Sequence, residues 1–196
     1  MTTSGCDGPG RACLGASGAQ EAALTRDLRF VAAHRGGPLD LTSHRLLAGW
    51  AAECAGHVQP LVDAACAHDD RPRIAVEAAR AWSRGGISAG EARSAAMAAH
   101  AAAREAPAGG PREAARAAGH AAATAHMADH ALAAALCAVR AVVRAAPPGE
   151  AAEAGDREEH WQTERLPEAV RELVVSARSQ TSTAWASQGP RTRPCA

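Results

Sequence analysis

The side chains best suited to chemistry in this 196-residue chain are histidines, and four of its nine lie between positions 100 and 130 in an alanine-rich background. His126 and His130 stand four apart, so on one continuous helix their rings project from the same face. Such a pair holds zinc when further ligands arrive from elsewhere. His100 sits on the preceding predicted helix and is the candidate third ligand if the two helices pair antiparallel. His120, six residues before His126, falls on a different face. The glutamate of a H-E-x-x-H metalloprotease helix is absent, because Met127, Ala128 and Asp129 occupy the intervening positions. Asp129 is one residue from His130 and so points about 100° away from it. The competing reading makes these imidazoles polar points in an alanine interface, bonded to one another, to Thr124 or to Glu77.

No other catalytic pattern is present. The chain has no G-x-S-x-G elbow, no phosphate loop and no glycine-rich dinucleotide turn. Its carboxylates are numerous, but nothing in their spacing sets a pair for acid/base work. Enzymatic activity and a cofactor are therefore not expected. Trp50, Trp82 and Trp161 are candidate interface anchors. With a single Phe as the remaining aromatic, Trp50 and Trp82 are better placed as core fillers where alanine helices splay apart. Arg80 and Glu77 form a candidate ion pair within one helical turn.

The elements that must position these residues read as helices throughout. Leu24, Leu28 and Val31 suggest a first helix over 19–33, stopped by Gly36-Gly37-Pro38. Asp40, Thr42 or Ser43 can cap a second, whose stripe is Leu46, Leu47, Trp50, Cys54, Val58, Leu61 and Ala65. Pro60 removes a backbone donor and predicts a kink near 56–59. Asp70 as N-cap and Pro72 in the first turn open a helix to Trp82, with Ile74, Ala75, Ala78, Ala79 and Trp82 on one face. Gly85-Gly86 ends it. Ser88-x-x-Glu91 is a capping box for a helix to about 105, with Ala92, Ala95, Ala96, Ala99 and Ala102 inward. Pro111 opens the longest predicted helix, reaching 146 and containing His120, His126 and His130. Its second half carries Leu132, Leu136, Val139 and Val143 at 4-3-4 spacing. After Pro147-Pro148-Gly149, helix is expected around 158–166, and again from Pro167 with Val170, Leu173, Val174 and Ala177 inward. No strand pattern is present. The expectation is an all-α fold, a single compact bundle of six to seven alanine-rich helices over 18–178, between a disordered segment 1–17 and a flexible tail 179–196.

Composition narrows the partners. More than a quarter of the residues are alanine, and Lys, Asn and Tyr are absent, so all 21 basic residues are arginine. That joint absence reads as codon bias, so the arginines are no phosphate-binding signature and nucleic acid is not an expected partner. The net charge is zero but uneven: residues 71–146 hold 10 Arg against 5 acids, and 147–172 hold 3 Arg against 8 acids. Such asymmetry steers partners or is satisfied within the fold. Six cysteines without C-x-x-C spacing, and an N-terminal stretch with neither a basic region nor an apolar core, point to a reducing cytoplasm. Cys54, Cys66 and Cys137 are expected to act as small buried hydrophobes. A membrane span is not expected, since even 122–143 contains His126, Asp129, His130 and Arg140.

Several segments together resemble the Imm5-like immunity proteins of bacterial polymorphic toxin systems. They are Asp40-Leu-Thr-Ser-His-Arg-Leu-Leu-Ala-Gly-Trp-Ala-Ala-Glu-Cys54, Asp69-Asp-Arg-Pro-Arg73, Ile74-Ala-Val-Glu-Ala-Ala-Arg-Ala-Trp82, Ala98-Ala-His100 and residues 118–131, with Glu159-His-Trp-Gln162 and Leu166-Pro167. The resemblance spans most of 40–167. It implies an all-helical cytoplasmic protein that neutralises a cognate toxin by binding, and it supplies no catalytic residues. The family-like positions His44, Trp50, Asp70, Arg71, Arg80, Trp82, His100, His120, His126 and His130 then form a candidate pocket or interface, or serve structure alone. A metal- or small-ligand-binding bundle with His100, His126 and His130 as ligands is the alternative, and a homodimer through alanine faces is a further candidate assembly.

Overall fold

The structure, a computed structural model, describes the backbone of residues 27–186 and side chains as far as Ser179. Eight α-helices follow one another: α1 Leu41–His57, α2 Gln59–Ala65, α3 Arg71–Ser83, α4 Ala89–Glu105, α5 Gly110–Ala123, α6 His130–Ala145, α7 Ala151–Glu164 and α8 Glu168–Ala186. There is no named strand among the described residues. The all-α class is as expected, and two extra helices arise where expected long ones divide.

Helix starts follow local chemistry. Asp40 accepts the Ser43 amide at 2.9 Å to cap α1, and Ser88 and Glu91 complete the capping box of α4, with Ser88 N donating to Glu91 Oε2 at 2.8 Å. At α3 the capping aspartate differs from expectation. Asp70 occupies the N-cap position without a side-chain cap bond. Asp69 takes the work instead, accepting the Arg71 amide at 3.1 Å. Ile74 is exposed rather than inward, and Val76 takes the buried position. Ala65 is exposed as well, because Pro60 does more than kink the helix: α1 stops at His57, and α2 restarts with Pro60 in its first turn, burying Val62.

The expected helix over 19–33 is replaced, in its described part, by 3₁₀ turns at Leu28–Phe30 and Ala33–Arg35. Leu39 N donates to Val31 O, and Ala33 N to Leu39 O, folding the segment back on itself. Gly37 is indispensable there, since a Cβ would stand 2.0 Å from the Val31 carbonyl oxygen. Helix α7 is longer than the expected 158–166, and α8 continues to Ala186. Segment 1–17 and residues 187–196 of the expected tail lie outside the described residues.

The largest departure is the expected helix 111–146, which divides into α5 and α6 around a turn at 124–129. The two halves fold into an antiparallel hairpin. Arg144 reaches back to Glu113 at 2.8 Å, and a Cβ on Gly110 would meet the Ala141 carbonyl at 3.0 Å. Helix α5 is the centre of the bundle, packing against α1, α2, α3, α4 and α6. Ala114, Ala115, Ala117, Ala118, Ala121 and Ala122 are buried to 1% exposure or less. Methyl-sized side chains let the surrounding backbones approach closely, and dispersion contacts between helices replace the bulk that aromatics would supply.

Helix α6 turns its small face inward. Ala131, Ala134, Ala135, Cys137, Ala138 and Ala141 are buried, whereas Leu132, Val139 and Val143 are half-buried and Leu136 is 45% exposed. The 4-3-4 row of larger residues is therefore an outer face of the bundle, partly covered by α7, where Gly155 makes room for Val143.

Candidate functional site

The turn between α5 and α6 gathers six of the expected site residues. On one side, His44 is buried in α1. Its Nε2 lies 2.6 Å from the Thr124 carbonyl, and its ring meets Trp82 of α3 edge-on with centroids 4.7 Å apart. Burial holds the His44 pKa below its ordinary value, with the Thr124 carbonyl opposing that trend. The imidazole is thus neutral at pH 7, and a carbonyl partner fixes it as the Nε2–H tautomer.

On the other side the four remaining histidines touch in sequence. His100 of α4 meets His120 of α5 edge-on at 4.7 Å. His120 Nδ1 lies 3.2 Å from His130 Nδ1, so one ring donates and the other accepts. His126 in the turn lies 5.3 Å from His130 between ring centroids. The approach of His100 depends on Gly119, because a Cβ there would stand 2.7 Å from the His100 ring. Burial, then the neighbouring His100 and His130, push the His120 pKa down to about 4. Burial also lowers His100, with Arg104 and Arg116 adding to the effect. The result is a contact chain of half-buried imidazoles in which His100 and His120 are neutral at pH 7.

This geometry bears directly on the metal alternative. The helix break removes the continuous face on which His126 and His130 were to act as an i, i+4 pair. Among the described residues, no group of three or more His, Cys, Asp or Glu side chains is arranged to hold a metal ion.

The other four expected positions lie elsewhere. Arg71 spans the α2–α3 loop and α4, donating to Asp69 Oδ2 at 2.7 Å and pairing with Glu105. Those two carboxylates hold its pKa above the usual guanidinium value, Asp69 most strongly. Asp70, beside it, stands 3.9 Å from Arg73. Arg80 bonds Glu77 at 2.6 Å on the outside of α3. Trp50 is buried and donates its indole N–H to the Gln162 carbonyl at 2.9 Å.

That last bond opens a buried polar network that the sequence reading missed. Gln162 of α7 has no exposed surface. Its Nε2 donates to the Ala135 carbonyl at 3.1 Å and to Glu158 Oε1 at 2.8 Å. Arg178 of α8 donates to its Oε1 at 2.6 Å and stands 5.1 Å from the Trp50 ring centre. Glu158, also buried, accepts from His57 Nδ1 at 2.7 Å, and His57 stacks on Trp161 at 3.8 Å. Gln162 thereby ties four helices together, α1 through its backbone carbonyl and α6, α7 and α8 through its side chain. A second buried acid, Glu113, receives Arg116 and Arg144 on the same oxygen. Both glutamates were visible only as members of charged segments. Their three- and four-residue offsets from Arg116 and Gln162 were the available signal.

Cys54 and Cys137 are buried, Cys66 is half-buried, and all three are free. Burial pushes the Cys137 pKa up to about 11 and that of Cys54 higher still, so neither is a nucleophile at neutral pH. The other cysteines fall outside the described residues.

Comparison with known families gives the class. The chain matches, over residues 37–169, the family described as "Imm-5 like putative immunity protein". The match covers most of the chain and every one of the ten positions above, and the protein belongs to that family. Neither the curated proteins nor the solved structures contain a match. No helix among the described residues is long and apolar enough to cross a membrane.

Proposed function

We propose that this protein neutralises a cognate bacterial toxin by binding it directly, without catalysis, in the cytoplasm. The observation that carries the reading is the outer face of α7. Glu150 precedes the helix, Glu153, Asp156, Glu159 and Glu164 are exposed along it, and Glu158 alone turns inward. The pairs on this face, Glu153 with Arg157 at 3.6 Å and Glu164 with His160 at 3.2 Å, are solvent-exposed and weak. A basic toxin surface is the complementary partner. Charges of this kind raise the association rate and set specificity, and their effect fades as salt screens them. The buried Gln162 network gives the face rigidity, so little ordering is needed on binding.

The test is co-expression with the toxin encoded beside this gene. Wild-type protein should restore growth. The double variant Glu153→Arg, Asp156→Arg should bind the purified toxin domain about tenfold more weakly at low salt. Growth arrest despite wild-type co-expression refutes the proposal.

A further inference from the structure

The α7 face borders a groove whose chemistry is different. Helix α8 packs on α1, and a groove lies between it, α6 and α7. A cavity of about 360 Å³ opens there, lined by Leu132, Ala133, Leu136 and Val139 of α6, Asp129 at its head, Glu159 of α7 and Arg178 of α8. That volume falls near the lower end of the range for binding pockets, roughly 300–1,000 Å³. The lining is apolar along its length and charged at its edges. The Arg178 guanidinium is engaged with the neutral Gln162 and Trp50, and the excess negative charge presented to a partner comes from the exposed acids of the adjoining α7.

Exposure of the larger residues here is a consequence of how α6 packs. Alanines can take the inner face because α5 is equally thin, and Leu132, Leu136 and Val139 are then turned outward at spacings of four and three. Leu136, at 45% exposed, is among the most exposed large apolar residues described. A row of aliphatic side chains at helical spacing accepts the ridge of another helix, which reads it through anchors at i, i+3 or i+4, and i+7.

We infer that this groove is the anchoring site for a basic amphipathic helix of the toxin, which lays apolar side chains against Leu132, Leu136 and Val139 while its Arg or Lys residues meet Glu159 and the other exposed α7 acids. The inference rests on the toxin-binding reading and names the part of the toxin that is bound. Glu159 belongs to both surfaces, so groove and acidic face form one continuous footprint. Charge complementarity with the α7 acids selects a basic occupant, and because this chain has basic helices of its own, such as α3 with Arg71, Arg73 and Arg80 against Glu77, the crosslink distinguishes the toxin from a second copy. The division of labour is familiar from interfaces generally, with a desolvated apolar anchor holding the complex and surrounding charges guiding it in.

The experiment measures binding of a catalytically inactivated toxin domain to the full-length chain by titration calorimetry, with circular dichroism melts as the folding control. Leu136→Glu should weaken binding about tenfold or more while leaving the melt unchanged, since the side chain is already half in water. A benzophenone amino acid in place of Leu136 should crosslink to the toxin on irradiation. Wild-type binding with Leu136→Glu within about twofold of it, or a crosslink that forms only between copies of this chain, overturns the inference and leaves the α7 proposal standing. Should Leu136→Glu lower the melt, the crosslink alone decides. Absence of wild-type binding refutes the toxin-binding reading itself.

Discussion

Acidification tests the histidine cluster, because the shift at His120 gives a stability change of definite sign and size. In the unfolded chain His120 titrates near its ordinary value of 6.5, and in the fold burial and its neighbours bring it to about 4. Above pH 6.5 both states hold it neutral, and the folded state carries no penalty. As pH falls toward 4 the unfolded chain takes up the proton first, so stability is lost through that window and levels off below it. Integrating between the two values gives a loss of about 2–3 kcal/mol by pH 4.5. His100 and His44 are shifted in the same direction and steepen the decline. Carboxylates held low by their partners, such as Asp69 beside Arg71 and Glu91 in its capping box, lose their contribution only at the acid end of the range. The assay is a series of urea unfolding curves at pH 7.5, 6.5, 5.5 and 4.5 for wild type and for His120→Gln, which keeps a polar side chain of similar reach but cannot titrate. The midpoint of the variant should fall less steeply with pH, by the equivalent of about 2–3 kcal/mol. Equal declines in the two proteins would refute the assignment of His120 as a buried neutral imidazole.

Two further perturbations probe packing. Gly119→Ala gains about 1 kcal/mol of helix propensity but places a methyl 2.7 Å from the His100 ring; it should therefore fail to stabilise the wild type and should stabilise the His100→Ala background, a coupling that a thermal double-mutant cycle reads directly. Gln162→Leu removes one partner each from Glu158, Arg178 and the Ala135 carbonyl in the interior, and chemical denaturation should show a loss of about 2–4 kcal/mol.

What the sequence made legible was whatever is settled within one turn of helix. Ser88 and Glu91 sit three apart and cap α4 because the bonds between them need nothing else. Gly85, with φ of 78°, ends α3 for a reason carried by glycine itself. The break between α5 and α6 is of another kind. Residues 118–136 contain no proline, and no glycine stands near the turn, so local propensity favours one helix. The chain reverses because distant side chains satisfy the carbonyls that a helix end exposes. His44, eighty positions away, bonds the Thr124 carbonyl, and Arg35 bonds that of His126 at 3.4 Å. Thr124 adds its hydroxyl to the His120 carbonyl at 3.1 Å, occupying an acceptor within the last turn of α5. Interactions across such separations leave no periodic trace. Gln162 was obscure for the same reason, since its partners come from three other helices.

The same break accounts for the histidine cluster and for the groove. On one long helix, His126 and His130 would share a face, His120 would stand apart, and the row Leu132, Leu136, Val139 and Val143 would continue the buried side. Reversal at 124–129 instead brings His120 against His130 and lays α6 antiparallel along α5. Two alanine faces then meet, and the apparent coiled-coil stripe is turned outward to α7 and the groove. A composition so poor in large side chains makes this arrangement favourable: thin helices gain most from close alanine contact, and the few Leu and Val residues not needed there remain at the rim. The proposed anchoring groove thereby arises from the packing preference of the core. Helix α6 contributes to both, and substitutions on its two faces should separate stability from toxin binding.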